Sequence, residues 1–252
     1  MLGKKLSVLA VGAHPDDVEY SAGGTVAKYA RAGHKVTILN VTRGGAGSMK
    51  IPSEKLRKIR TEEGIRGGRV LGADVKYLPQ SGKPGFQDGG LIPTREAVLA
   101  VVDVIREVKP NIMISHHPNE IHPDDRAAGV ITRDAFTICA LPLIKTKLPA
   151  HSISDLYMYG DIHRFTEPPQ SIIYIDTADT IDLKIKALAE HKSQVEWLRE
   201  HKGYDAGFLD PLEEVKAQAR ALGYRCGIRY AEAFVPLKPK ALPFFPYYEM
   251  KK

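Results

Sequence analysis

Residues 6–17 read LSVLAVGAHPDD, an apolar run, Leu6–Ala13, that ends directly in His14, Pro15, Asp16 and Asp17. The run predicts a buried β-strand, and ligands bind at the carboxyl ends of strands in open α/β sheets. His14 and Asp17 are three residues apart on a turn that Pro15 restrains, so the two side chains can converge on one cation. Asp16 is then left as a spare carboxylate. The turn therefore predicts a metal site with a neighbouring base, which suits hydrolysis by a metal-activated water.

Strand-like and helix-like runs alternate along the rest of the chain. The strand-like runs are Lys35–Val41, Val75–Leu78, Asn111–Ser115, Tyr157–Tyr159 and Ile172–Asp176, and the helix-like runs are Ala22–Ala32, Ser53–Leu71, Thr94–Val108, Asp124–Ala140, Thr180–Glu200 and Leu212–Leu222. This alternation predicts βαβ units with right-handed crossovers. We therefore expect an α/β fold, a Rossmann-like three-layer sandwich with a mostly parallel central sheet. Residues 1–252 are expected to form a single domain, with residues 236–252 as a tail rich in proline and aromatic residues.

Composition and charge narrow the class of protein. The 36 basic residues are interleaved with 30 acidic ones, so the net charge of +6 indicates a solvated surface and no nucleic-acid partner. The turn after the first strand lacks the glycine pattern of dinucleotide-binding proteins, and its carboxylates would repel a pyrophosphate. Cys139 and Cys226 are too few for a disulfide framework, so histidines and carboxylates must hold any metal. With no long apolar run and no signal sequence, we expect a cytoplasmic protein without a membrane span.

A second cluster, SHHPNEIHPDDR at residues 115–126, follows the predicted strand Asn111–Ser115 and so belongs to the same edge of the sheet. Two such clusters on one edge can share one metal ion. His116 and His117 are adjacent and point to different sides, so at most one of them is expected to face the site. In the alternative interpretation, Asp124 caps the following helix and Asp125 lies in its first turn, where the helix dipole favours carboxylates.

These two motifs, together with an Arg60/Glu63 pair and the run Tyr230-Ala231-Glu232-Ala233-Phe234, make the chain resemble a known family. It is similar, from roughly Leu6 to Phe234, to the LmbE-like (PIG-L) family of zinc-dependent N-acetylglucosamine deacetylases. The resemblance implies a zinc hydrolase that acts on a small carbohydrate substrate.

The resemblance also implies residue roles. His14 and Asp17 bind Zn²⁺, Asp16 is the general base, and His122 polarises the substrate carbonyl or protonates the departing amine. Arg60 holds sugar hydroxyls or an attached anionic group, and its alternative role is an i,i+3 ion pair with Glu63.

The third metal ligand is the open question. The family motif is His-Pro-Asp-His, whereas this chain has His122-Pro123-Asp124-Asp125, so Asp125 occupies the third-ligand position. An aspartate oxygen binds zinc at a similar distance, but the more anionic site is less selective for zinc, and another divalent metal is an alternative. His122, His116 or His117 can also take the place of Asp125.

The sequence thus predicts a metal-dependent hydrolase that removes an acetyl group from an N-acetylglucosaminyl substrate, in a homo-oligomer. Two alternatives remain: a non-catalytic or weakly active metal- or carbohydrate-binding protein of the same fold, and a nucleic-acid-binding protein suggested by the pI near 9.1. We expect the glycine loop Gly44–Ser48 and residues Asp161–Arg164 to line the pocket, and His191 and His201 to be surface or packing residues.

Overall fold

The computed structural model describes residues 5–79, 81–160, 171–201 and 210–238. Its strands are β1 Ser7–Gly12, β2 Lys35–Asn40, β3 Asp74–Tyr77, β4 Ile112–His116, β5 Asp155–Tyr159, β6 Ile173–Asp176 and β7 Ala231–Pro236. Its helices are α1 Asp17–Arg31, α2 Ser53–Leu71, α3 Arg95–Val108, α4 Pro123–Ile138, α5 Ile181–Ala189, α6 Lys192–Glu200 and α7 Pro211–Arg225.

The strands form one sheet in the order β3-β2-β1-β4-β5-β7-β6. The first five strands of the chain pair in parallel, and β7 pairs antiparallel with both β5 and β6. Strand β1 shows why its sequence is apolar throughout: Val8 and Ala10 pack on the side of α1, whereas Leu9 and Val11 pack on the side of α3 and α4. A parallel strand covered on both faces needs apolar residues at every position. These features confirm the predicted three-layer α/β fold with a mostly parallel sheet.

The site lies where the strand order reverses. The chain moves outward from β1 to β2 and β3, then crosses back to β4 on the other side of β1. The connections after β1 and β4 leave in opposite directions, and this opens a crevice at the carboxyl end of β1. The turn after β1 and the start of α4 face each other across it.

The structure corrects several sequence-based expectations. Helix α1 begins at Asp17, not at Ala22. The predicted helix Thr180–Glu200 is two helices, α5 and α6, because the chain turns at Glu190 and His191. Strand β7 was not predicted, and it includes Pro236, which we had assigned to the tail. Residues 239–252 of that tail lie outside the described residues.

In the part of the chain that the structure covers, no helix combines the length and apolar character needed to cross a membrane.

Candidate metal and catalytic site

The turn after β1 brings His14 and Asp17 together. Asp16 has φ 107°, in the left-handed region, and this bends the chain sharply before α1 begins. The His14 backbone N–H donates to Asp17 Oδ2 at 2.7 Å, and His14 Nδ1 lies 3.4 Å from the same oxygen. Asp125, in the first turn of α4, approaches from the opposite side of the crevice, with Oδ1 3.5 Å from His14 Nδ1.

These three side chains fit a divalent cation. Donor atoms bound at 2.0–2.2 Å to one tetrahedral zinc lie about 3.3–3.6 Å apart, which matches the 3.4 and 3.5 Å separations from His14 Nδ1. Asp125 Oδ1 is buried without a hydrogen-bond partner among the described residues, a costly arrangement unless a cation offsets it. His14, Asp17 and Asp125 therefore form a candidate site of one imidazole and two carboxylates.

Two further carboxylates orient His14. The Nε2 atom lies 3.1 Å from Asp124 Oδ2 and 3.2 Å from Asp88 Oδ1. Asp124 is buried and also accepts hydrogen bonds from the backbone of Gly89 at 2.7 Å and Leu91 at 3.1 Å. When Nε2–H donates a hydrogen bond to a carboxylate, Nδ1 carries no proton and can bind a metal. This is the usual arrangement around metal-binding histidines.

The helix cap expected from Asp124 comes from its neighbour. His122 Nδ1 accepts from the Asp124 backbone N–H at 3.3 Å, so His122 caps α4 and the Asp124 carboxylate turns into the site.

Asp88 was missed in the sequence because it lies in an aperiodic loop, residues 81–94, where no pattern marks it.

The charges of the cluster shift its pKa values. Burial alone would raise the pKa of Asp17, but the positive charges of His14 and His116 hold it well below its usual range. Burial raises the pKa of Asp125 to about 7, against the attraction of His116 and with the help of Asp17. The charge of Asp125 is thus poorly compensated by its neighbours, and a bound cation would compensate it.

Asp16 is not in the group that fits the metal, and it is held by Arg60. The Arg60 Nη2 atom donates to both oxygens of Asp16 at 3.0 Å and to the Pro15 carbonyl at 2.6 Å. Burial raises the pKa of Asp16, whereas the charge of Arg60 lowers it. Arg60 is itself buried, so the structure places its guanidinium against the candidate base and not at the mouth of the site.

The alternative partner of Arg60, Glu63, makes other contacts. The Glu63 carboxylate accepts from the Ser193 backbone N–H at 2.9 Å and from its hydroxyl at 2.6 Å. The glycine loop packs on Arg60: Gly44 has φ 62°, and a Cβ atom there would lie 2.4 Å from Arg60 Nη1. The loop needs glycine at this position because the guanidinium lies directly against its backbone.

His116 and His117 point to different sides, as their adjacent positions predict. His116 is buried with Nε2 2.9 Å from Asp17 Oδ2, whereas His117 Nδ1 accepts from the Asn119 backbone N–H outside the cluster. His122 is half exposed, and its ring packs edge-on against that of His14 at 5.1 Å. Burial, followed by the charge of His14, lowers the pKa of His122.

Of the alternatives for a third ligand, His122 also groups with His14 and Asp124, on the Nε2 side of His14. His116 is not in either group, and its Nε2 contacts Asp17 Oδ2 instead. The expected pocket wall Asp161–Arg164 lies outside the described residues.

His191 and His201, which we expected on the surface or in packing, have surroundings that differ from each other. His191 is buried, with Nε2 3.4 Å from Glu19 Oε1, at the turn between α5 and α6. His201 stacks on Trp197 with ring centroids 4.6 Å apart.

The fold and this crevice define a class of protein, and comparison with known proteins identifies it. The model of the PIG-L family, described as GlcNAc-PI de-N-acetylase, matches residues 9–136. The chain belongs to this family.

Particular relatives can also be named. The chain is 30% identical over 197 residues to a diacetylchitobiose deacetylase of Thermococcus kodakarensis, covering 74% of this chain and 69% of that one. Among solved structures, it is similar to the N,N'-diacetylchitobiose deacetylase of Pyrococcus horikoshii, with a TM-score of 0.73 and 26% identity over 92% of this chain and 83% of that one. A 4-carboxy-2-hydroxymuconate hydratase of Pseudomonas putida has a TM-score of 0.77 at 19% identity, covering 96% of this chain and all of that one, and this shows the shared fold alone.

Proposed function

We propose that this protein is a zinc-dependent deacetylase that hydrolyses the acetamido group of an N-acetylglucosaminyl compound. The observation that carries the proposal is that Asp16, a carboxylate held by Arg60, lies in the same turn as His14 and Asp17 of the candidate metal group. Membership of the PIG-L family and the similarity to diacetylchitobiose deacetylases support the same reaction and substrate class.

His14, Asp17 and Asp125 would hold the metal in this proposal. When bound, Zn²⁺ would polarise the acetyl carbonyl and make a bound water more acidic. Asp124 keeps the His14 ring in the orientation and tautomer that binding requires, through its 3.1 Å contact with Nε2.

Asp16 would accept the proton of the attacking water. Its burial raises its pKa, which makes the carboxylate more basic than an exposed one, while the charge of Arg60 opposes that rise. A general base works best when its pKa approaches the working pH but the group stays deprotonated. The two hydrogen bonds from Arg60 Nη2 also fix the orientation of the carboxylate. We therefore assign Arg60 to positioning Asp16, in place of the direct sugar contact expected from the sequence.

His122 would donate a hydrogen bond to the oxygen of the carbonyl under attack, and the proton that Asp16 takes from the water would pass to the departing amine. Its Nδ1 accepts from the Asp124 N–H, so the proton of the neutral ring resides on Nε2, where it is available as a donor. The lowered pKa keeps this ring neutral before the reaction starts.

The second candidate function is a metal- or carbohydrate-binding protein without turnover. Asp125 favours this candidate, because an aspartate in place of the family's histidine makes the site more anionic and a bound water less acidic.

Acetate release tests the two candidates. Purified protein is stripped with a chelator, reloaded with one equivalent of Zn²⁺, and incubated with N,N'-diacetylchitobiose while acetate and free amine are quantified. We expect both products to appear in equal amounts after reloading and neither in the stripped sample. Full zinc occupancy with no acetate would favour the binding protein, and activity that is independent of metal would overturn the metal requirement.

We also propose that the protein acts in the cytoplasm as a homo-oligomer. Light scattering of the purified, zinc-loaded protein measures its molar mass directly, and a mass of one 27.8 kDa chain would overturn the oligomer.

A further inference from the structure

The connection between α4 and β5 exposes apolar side chains to solvent. Residues 140–150, called the leucine loop below, read ALPLIKTKLPA. The exposed fractions of Leu141, Leu143 and Leu148 are 48%, 83% and 38%. Single exposed leucines are ordinary, but three in one short loop form the kind of apolar patch that marks an interaction surface.

The leucine loop lies far from the crevice. It leads to the amino end of β5, which is parallel to β4, whereas the candidate metal site lies at the carboxyl ends of these strands. The loop and the site are therefore at opposite edges of the sheet, and a partner on the loop would leave the crevice open.

A buried arginine holds the leucine loop in one conformation. Arg106 of α3 is 2% exposed, and its guanidinium donates to the carbonyl oxygens of residues 139, 141, 144 and 148 at 2.8–3.2 Å. It also donates to the Thr146 hydroxyl at 2.9 Å, and Asp103 Oδ1 accepts from the Lys147 backbone N–H at 3.3 Å. These contacts fix the backbone and leave the leucine side chains exposed. Because the loop is ordered before a partner arrives, binding through it costs little conformational entropy.

The leucine loop is also positively charged. Lys145 and Lys147 lie between Leu143 and Leu148, both are exposed, and neither side chain has an ion pair among the described residues. Residues 140–150 include no acidic side chain. The loop thus presents leucines and free ammonium groups together.

This combination matches the surface of a membrane with anionic lipids. Leucine side chains enter the boundary between headgroups and acyl chains. The long lysine stem lets the ammonium stay at the level of the headgroups, and anionic headgroups attract it. The net charge of +6 on the whole chain acts in the same direction.

A second copy of the chain fits the leucine loop less well. In a twofold contact both chains use the same patch, so Lys145 and Lys147 would lie near their own counterparts and repel them. The leucines also expose an area on the order of a few hundred Å². A stable interface between two proteins buries about 800 Å² on each partner.

We propose that the leucine loop docks the protein reversibly on a membrane surface that contains anionic lipids. The three leucines enter the headgroup region, and the two lysines contact the lipid phosphates. The proposal is independent of the proposed deacetylase function, since the loop shares no residue with the candidate site.

Sedimentation with lipid vesicles tests the proposal. The purified full chain is mixed with vesicles of phosphatidylcholine alone, or of phosphatidylcholine and phosphatidylglycerol in equal parts, and the bound fraction is measured against lipid concentration. Leu143→Ser removes the most exposed leucine of the loop, and Tyr224→Ser is its matched control, because Tyr224 is 87% exposed on α7.

A second pair of variants tests the charges. The double variant Lys145→Gln with Lys147→Gln removes the two ammonium groups of the loop. The double variant Lys55→Gln with Lys58→Gln removes the same charge from exposed positions on α2. A difference between the two double variants therefore reports the position of the charges and not the net charge.

We expect the unaltered protein to bind the mixed vesicles about tenfold more tightly than phosphatidylcholine alone, and high salt to remove this difference. Leu143→Ser and the loop double variant should each weaken binding to mixed vesicles about tenfold, and both controls should stay within about twofold. Absence of binding by the unaltered protein, or equal losses in the controls, would overturn the proposal. Light scattering adds the last outcome: an oligomer that dissociates in Leu143→Ser without vesicle binding by the unaltered protein would make the loop a contact between copies.

Discussion

Replacing Asp125 tests whether this aspartate is a metal ligand or whether the site has lost its third protein ligand. If Asp125 is a ligand, Asp125→Ala removes one of three protein donors, whose Oδ1 lies 3.5 Å from His14 Nδ1. Zinc sites with four protein ligands have apparent binding free energies of about 10–16 kcal/mol, or roughly 2.5–4 kcal/mol per ligand. The expected loss in zinc affinity is therefore roughly 100- to 1,000-fold. Asp125→His restores the family motif and should keep the affinity within about tenfold of the original or strengthen it.

Competitive titration against a chromogenic chelator measures this affinity. The control is Asp134→Ala, which removes a half-exposed carboxylate from the same helix, outside the cluster. If Asp125 interacts only with the dipole of α4 from its first turn, its removal lowers the free energy of unfolding by about 1 kcal/mol or less and leaves zinc affinity unchanged. That result would refute the ligand assignment and transfer it to His122.

Three further predictions concern contacts around the candidate site, and a fourth concerns the buried Arg106 of α3. Asp124→Asn should weaken zinc binding about 10- to 100-fold, because the amide no longer takes the His14 Nε2 proton as a charged acceptor; chelator titration measures it, and unchanged affinity would contradict the role. Arg60→Lys should lower kcat about tenfold or more at full zinc content, because the lysine Nζ is one bond closer to the backbone than Nη2 and cannot keep both contacts to Asp16, and a selective rise in KM would instead indicate a sugar contact. Gly44→Ala should likewise lower kcat, by displacing Arg60, and a crystal structure with Arg60 unmoved would refute this reason. Arg106→Gln should lower the free energy of unfolding by about 3 kcal/mol or more in urea titrations, because Arg106 donates to the carbonyls of residues 139, 141, 144 and 148 from a buried position; an unchanged midpoint would contradict it.

Local patterns predicted the fold well where one element determines its own structure. Helix α2 begins and ends at the predicted Ser53 and Leu71, because Pro52 precedes it and Gly72 closes it with φ 77°. Strand β1 was recognisable because both of its faces are buried, which requires a continuous apolar run.

Tertiary contacts explain what the sequence did not predict. The turn that separates α5 from α6 places His191 against Glu19, a contact between distant parts of the chain that no local periodicity reports. Asp88 reaches His14 from an aperiodic loop, and its importance follows from the Nε2 contact at 3.2 Å. Strand β7 is short and antiparallel, and its pairing with β5 and β6 is likewise non-local.

The same distinction applies to the candidate site. The motifs at residues 14–17 and 122–125 indicated which side chains would meet, because each follows a parallel strand at the same edge of the sheet. They did not indicate that Arg60 would turn onto Asp16, since the sequence offered the nearer partner Glu63. Spacing identifies neighbours on one element, whereas pairing across elements depends on how the helices pack.

The most direct test of the central claim is the kcat of Asp16→Asn at zinc occupancy matched to the unaltered protein. Asparagine keeps the size of the side chain and removes the base, and Asp16 is not in the group that fits the metal. We predict that zinc stoichiometry stays at one per chain while kcat for acetate release falls by roughly two to four orders of magnitude. A mutant that retains full zinc and the original kcat would contradict the account, because another group would then accept the proton of the attacking water.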